Sequence, residues 1–177
     1  MFSLYVIPSI WFVYRWNGNI KSLGILPPKR YLVINTILGL FLYSIAAFVF
    51  VRNEIFFSSW YSSDWTEIWK NFALVAIMAS ITDFWTRGFI LFELSRRTND
   101  ANAIFWQNVT WFVIHIYEIE LLIPYIGIVN SILLTLILGI GGDIVALKTK
   151  SIFGLMLGHI FLNLSILLAA KDVMILF

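Results

Sequence analysis

The chain has 177 residues, of which 60% are hydrophobic, 18% aromatic and only 12% charged, with a mean hydropathy of +0.88. That composition excludes a water-soluble globular domain, and a net charge of +2 scattered between apolar runs leaves no basic patch for a nucleic acid. The absence of cysteine excludes disulfides and thiolate metal sites.

Several apolar runs reach the roughly 20 residues that carry a helix across about 30 Å of hydrocarbon, and none alternates as a barrel strand does. The fold class is therefore all-α: a polytopic membrane helical bundle of about six transmembrane helices, expected as a single domain over residues 1–177. Phe2 to Tyr14 is a short first span, with Arg15 and Trp16 as interfacial anchors. It lacks a basic leader and a small-residue cleavage site, so it reads as a retained helix rather than a cleaved signal peptide. Asn17 to Arg30, NGNIKSLGILPPKR, reads as a surface loop with a small interfacial helix. Tyr31 to Val51 is an uncharged second span.

Arg52 to Lys70 is too polar to span, but Trp60, Tyr61, Trp65 and Trp69 suit a segment lying among headgroups. Asn71 to Leu94 is the third span and carries Thr82, Asp83 and Arg87; Ser95 to Asn102 is a polar turn. Ala103 to Ile123 is the fourth span, with His115 inside it, Glu118 and Glu120 near its far end, and Pro124 as the expected break. The fifth, Tyr125 to Leu147, holds Gly139, Gly141, Gly142 and Asp143, small residues that let helices approach closely in lipid. The sixth, Ile152 to Ala170, carries His159 and, four residues later on the same helical face, Asn163.

Cytoplasmic loops carry excess Lys and Arg. One side of this arrangement collects Arg15, Lys21, Lys29, Arg30, Arg96, Arg97, Lys148 and Lys150, and the other only Arg52, Lys70 and Lys171, so the first side is expected in the cytoplasm and both termini outside it. Measured from the cytoplasmic helix ends, Asp83, His115 and Asn163 lie at a common depth of about 18 Å at 1.5 Å per residue, with His159 and Arg87 about one turn nearer the cytosol. Polar side chains at membrane depth face a bundle interior or a wet cavity and mark a functional site. Taken singly, Asp83 and Arg87 could be a structural ion pair and His115 or Asn163 interhelical glue; their convergence points to a site.

Two histidines, a carboxylate, an arginine and an asparagine in a dry pocket suit activation of water against a carbonyl. A carboxylate and one histidine take the proton; the other histidine and the asparagine hold the oxyanion. That is peptide hydrolysis, with Asp83, Arg87, His115, His159 and Asn163 as the candidate catalytic set. No cofactor is fixed by these residues, and zinc is the one that they could hold. A zinc alternative needs a third ligand beside His115 and His159, either Asp83 or Glu118, and has no HExxH pair behind it.

These residues also carry a resemblance. TDFWTR (Thr82 to Arg87), WFVIH (Trp111 to His115) and HIFLN (His159 to Asn163) resemble, in order and spacing, the Glu-Glu-xxx-Arg, Phe-xxx-His and His-xxx-Asn/Asp motifs of the CAAX prenyl protease and bacteriocin-processing (CPBP, or Abi) family of intramembrane endopeptidases. RGFILFELSRR, KSLGILPPKR and the glycine-containing helix before KTKSIFG agree with it. The resemblance implies a prokaryotic cell-membrane protein whose site opens to the cytosol and takes a membrane-associated peptide or prenylated substrate. Three positions depart from the pattern: the motif's first glutamate is Thr82, its second is Asp83, and the phenylalanine is Trp111. Thr82 cannot act as a base near neutral pH. Either Asp83 takes over or Glu118, one turn beyond His115, approaches. If neither does, the chain is a silent relative serving as an immunity, binding or assembly subunit beside a membrane protein partner. A small transporter or proton relay ranks last, because no inverted repeat is visible.

Overall fold

In lipid every backbone N–H needs a partner within the chain. The computed structural model meets that demand with helices. It describes residues 2–17, 20–55 and 64–175, with side chains over 6–15, 21–55 and 64–170. In order these are α1 (Phe2–Asn17), α2 (Leu32–Arg52), α3 (Trp65–Asp83) running through a π-helical stretch (Phe84–Leu91) into α4 (Phe92–Arg97), α5 (Asp100–Ile114), α6 (Ile116–Thr149) and α7 (Phe153–Ile175). Short 3-10 turns at Ile20–Leu23 and Lys29–Tyr31 fill the expected surface loop. Of the expected headgroup segment, Trp60 and Tyr61 lie outside the described residues, whereas Trp65 and Trp69 are exposed on the first turns of α3.

Among the described residues four stretches are long and apolar enough to cross a membrane: Lys29–Arg52, Trp65–Arg97, Ile116–Thr149 and Phe153–Ala170. The protein is thus an integral membrane helical bundle. Its outward face is apolar, with Val33, Phe41 and Phe48 of α2 and Ile128 and Val129 of α6 exposed, while Asn35, Asp83, Arg87 and Asp143 are completely buried. Local signals explain the helix starts: Asp64 caps α3 by accepting from the Thr66 amide at 3.0 Å, and Asn99 caps α5 by accepting from the Asn102 amide at 2.9 Å.

The structure differs from the sequence reading in the middle of the chain. The fourth span was expected to run unbroken from Ala103 to Ile123, yet α5 stops at Ile114, and His115 leaves helical geometry (φ −105°, ψ 16°) as the joint to α6. The break expected at Pro124 falls at Gly127, whose φ of 78° is open to glycine at little cost. Pro124 removes one N–H from the ladder just upstream, and the glycine then turns the chain. The reversal brings α5 against the second half of α6: a Cβ on Gly139 would meet Asn108 and Trp111.

With no hydrophobic drive between helices in lipid, close packing must hold them. The tightest junction joins α2 to α7. Cβ atoms added at Gly39, Gly154 or Gly158 would collide with the facing backbone, Gly39 against Gly154, Gly154 against Asn35 and Gly158 against Gly39. Asn35 locks this junction by donating to Thr149 Oγ1 (2.8 Å) and the Ser151 carbonyl (3.0 Å) and accepting from the Gly154 amide at 2.7 Å.

Candidate active site

The π-helical stretch carries Arg87 into the centre of the bundle. Such stretches re-aim side chains and recur at functional sites. The guanidinium is fully buried and every one of its nitrogens is engaged. Nη1 donates to Asp83 Oδ1 and to the Tyr43 hydroxyl at 3.2 Å, Nη2 to the Leu138 carbonyl at 2.8 Å, and Nε to Asp143 Oδ1 at 3.3 Å. Its face lies 4.0 Å from the centre of the Trp111 ring. Gly142 makes this possible, because a Cβ there would sit against the guanidinium carbon at 2.8 Å.

Asp83 connects this centre to the sixth span. Its Oδ1 takes Arg87 and the Tyr43 hydroxyl (3.4 Å), and its Oδ2 faces His159 Nδ1 at 3.1 Å. The His159 ring is stacked on Tyr43, 4.9 Å between centres and 12° between planes. His159 therefore has its Nδ1–H committed to a carboxylate and its plane fixed, leaving Nε2 as its second nitrogen. His115 is arranged likewise: its Nδ1 lies 2.8 Å from the Trp111 carbonyl, and its ring is 3.9 Å from the Trp111 ring. The two histidine rings are centred 6.4 Å apart.

Both line one cavity of about 520 Å³, together with Thr82, Glu118 and Asn163. Much of the remaining wall is apolar, from Phe50, Leu74, Met78, Trp85 and Leu122. Of the five residues expected at the site, His115, His159 and Asn163 face this cavity, whereas Asp83 and Arg87 stand behind it, wholly buried. The two oxygens of Asp83 are taken by Arg87, Tyr43 and His159.

The zinc alternative fits poorly. Asp83 and His159 contact each other directly, and among the described residues no three His, Asp or Glu side chains gather around a common point. Three residues of the network escaped the sequence reading. Asp143 was counted among small residues, although a carboxylate inside an apolar run signals a buried partner. Asn108 donates to Asp143 Oδ2 at 2.8 Å, and Tyr43 gave no signal beyond one polar tip in an uncharged span.

Comparison with curated proteins and with solved structures returns no match. The family described as type II CAAX prenyl endopeptidase Rce1-like matches residues 64–165, from the cap of α3 to the middle of α7, a stretch that includes Asp83, Arg87, His115, His159 and Asn163. Because the match covers more than half of the chain, and because it agrees with the motifs, the protein belongs to the Rce1-like family of type II CAAX prenyl endopeptidases, membrane proteins of intramembrane-protease type.

Proposed function

We propose that the protein is an intramembrane endopeptidase that hydrolyses a peptide bond of a membrane-associated substrate, a prenylated peptide in the first instance, inside the cavity shared by His115 and His159. The observation that carries this reading is that two imidazoles, each with Nδ1 engaged, line one cavity with ring centres 6.4 Å apart. At that spacing a single water or carbonyl oxygen lies within reach of both. His115 Nε2, bearing the lone pair, accepts from the water and aims it. His159, oriented by the Asp83 carboxylate behind it, and the Asn163 amide flank the developing oxyanion and hold it. Arg87 fixes Asp83, and Asp143 fixes Arg87. The apolar wall suits a lipid-modified chain. We further propose that α1 and α5 complete a bundle of about six spans, that both termini lie outside the cytoplasm, and that the cavity opens toward the cytosol.

The test is cleavage of a fluorescence-quenched peptide ending in S-farnesylcysteine and three further residues by the protein in liposomes. His115→Ala and His159→Ala should each lower turnover at least 100-fold, with product masses marking the bond cut. Retained turnover in both variants, or none in the wild-type protein, overturns the reading and leaves the silent-subunit alternative.

A further inference from the structure

The hydrolysis proposed above needs a group that takes the water's proton and returns it to the leaving amine, and Asp83 is too deeply engaged to do so. Glu118 lines the same cavity as His115, His159 and Asn163, and its Oε2 is buried with no hydrogen-bond partner. The residue stands in the first turn of α6, where the helix N-terminus favours a negative charge. A place at a helix end does not account for an unsatisfied, buried oxygen on a residue of the cavity wall, which costs free energy until it gains a partner.

We infer that Glu118 is the catalytic carboxylate of this chain, occupying by a route along α6 the role that Thr82 on α3 cannot fill; this rests on the hydrolase reading above. The break at His115 makes the placement possible. By ending α5, it restarts the chain so that His115 and Glu118, three residues apart, both reach the cavity. In the reaction an O–H bond of water breaks and its proton passes to the Glu118 carboxylate while the oxygen bonds to the peptide carbonyl carbon. The C–N bond of the tetrahedral intermediate then breaks, and the same proton goes to the departing amine nitrogen. Water is consumed, a carboxylic acid and an amine leave, and Glu118 is again ionised.

Glu118→Gln keeps the length and shape of the side chain and removes the basic carboxylate. With the farnesylated probe, E118Q should lower kcat at least 100-fold, leave KM within about threefold, and abolish the acidic limb of the kcat/KM pH profile. T82E combined with E118Q should recover at least tenfold of the loss, because residue 82 faces the same cavity. Treatment of the wild-type protein with dicyclohexylcarbodiimide, a check that needs no substitution, should modify Glu118 and stop cleavage. If E118Q cleaves within threefold of wild type while His159→Ala is silent, the role of Glu118 is overturned and the hydrolase reading stands. If the wild-type protein is silent and T82E alone cleaves, Glu118 does not serve and the native chain lacks its carboxylate. If neither cleaves, the hydrolase reading falls and Glu118 with it. Carbodiimide labelling that spares Glu118 also overturns the assignment.

Discussion

Arg87 is the residue whose loss should be felt most. Its fork bridges two buried carboxylates and a carbonyl that belong to different helices. Arg87→Met strips the buried Asp143 of its only cationic partner and leaves Asp83 with His159 and Tyr43 alone, at a cost of roughly 3–5 kcal/mol. Arg87→Lys should restore less than half of this, because an ammonium cannot serve Asp83, Asp143 and Leu138 from one point. Thermal unfolding in detergent checks both, and an unchanged midpoint for Arg87→Met would show that the charges are not paired. Tyr43→Phe is milder. It removes one hydroxyl from Asp83 while keeping the ring stacked on His159, so about 1 kcal/mol of orienting energy is lost and turnover of the farnesylated probe should fall roughly five- to tenfold with little change in melting. The residues on the cavity wall were legible in the sequence because histidines and an asparagine are conspicuous in apolar runs. The shell behind them was not, because a tyrosine in a span and an aspartate among glycines carry no periodic mark, and only the fold shows whom they meet.

At the scale of elements, helix positions followed from hydropathy to within a few residues, as α2 (Leu32–Arg52) shows against an expected Tyr31 to Val51. The breaks did not. A π-helical stretch, a non-helical histidine and a turn at Gly127 rather than Pro124 arise from tertiary demands: Arg87 must reach Asp143, and α6 must fold back on α5. Gly154 and Gly158 form a small-residue pair in α7 that could have announced the α2 contact. Two glycines separate the roles that the residue can play. Gly39→Ala places a methyl group on the Gly154 backbone, and since neither helix can yield locally the junction should part, costing about 1–3 kcal/mol or more. Gly127→Ala meets no atom within 4 Å and suffers only from a backbone conformation (φ 78°, ψ 158°) that residues with a Cβ scarcely adopt, about 1–3 kcal/mol. Melting midpoints in detergent should rank Gly39→Ala below Gly127→Ala. The reverse order would mean that the α2–α7 contact is loose and that the turn at residue 127 limits stability.

At the scale of the whole molecule, polar groups lie inside and apolar ones outside, the inverse of a soluble domain, so the network around Arg87 can persist only while lipid keeps water from it. The sequence conveys which loops are basic, and that charge bias, rather than any contact, sets how the bundle sits in the membrane. The chain contains no cysteine, so single cysteines report orientation without background. Lys148, exposed near the end of α6, and Arg52, exposed at the end of α2, belong to the sets of opposite expected side. In intact cells a membrane-impermeant maleimide should label Arg52→Cys and spare Lys148→Cys, which reacts only after the membrane is opened. Since Lys148 stands within three residues of Ser151 and the start of α7, the same result fixes which face of the membrane carries that end of the bundle. Labelling of Lys148→Cys in intact cells would invert the bundle.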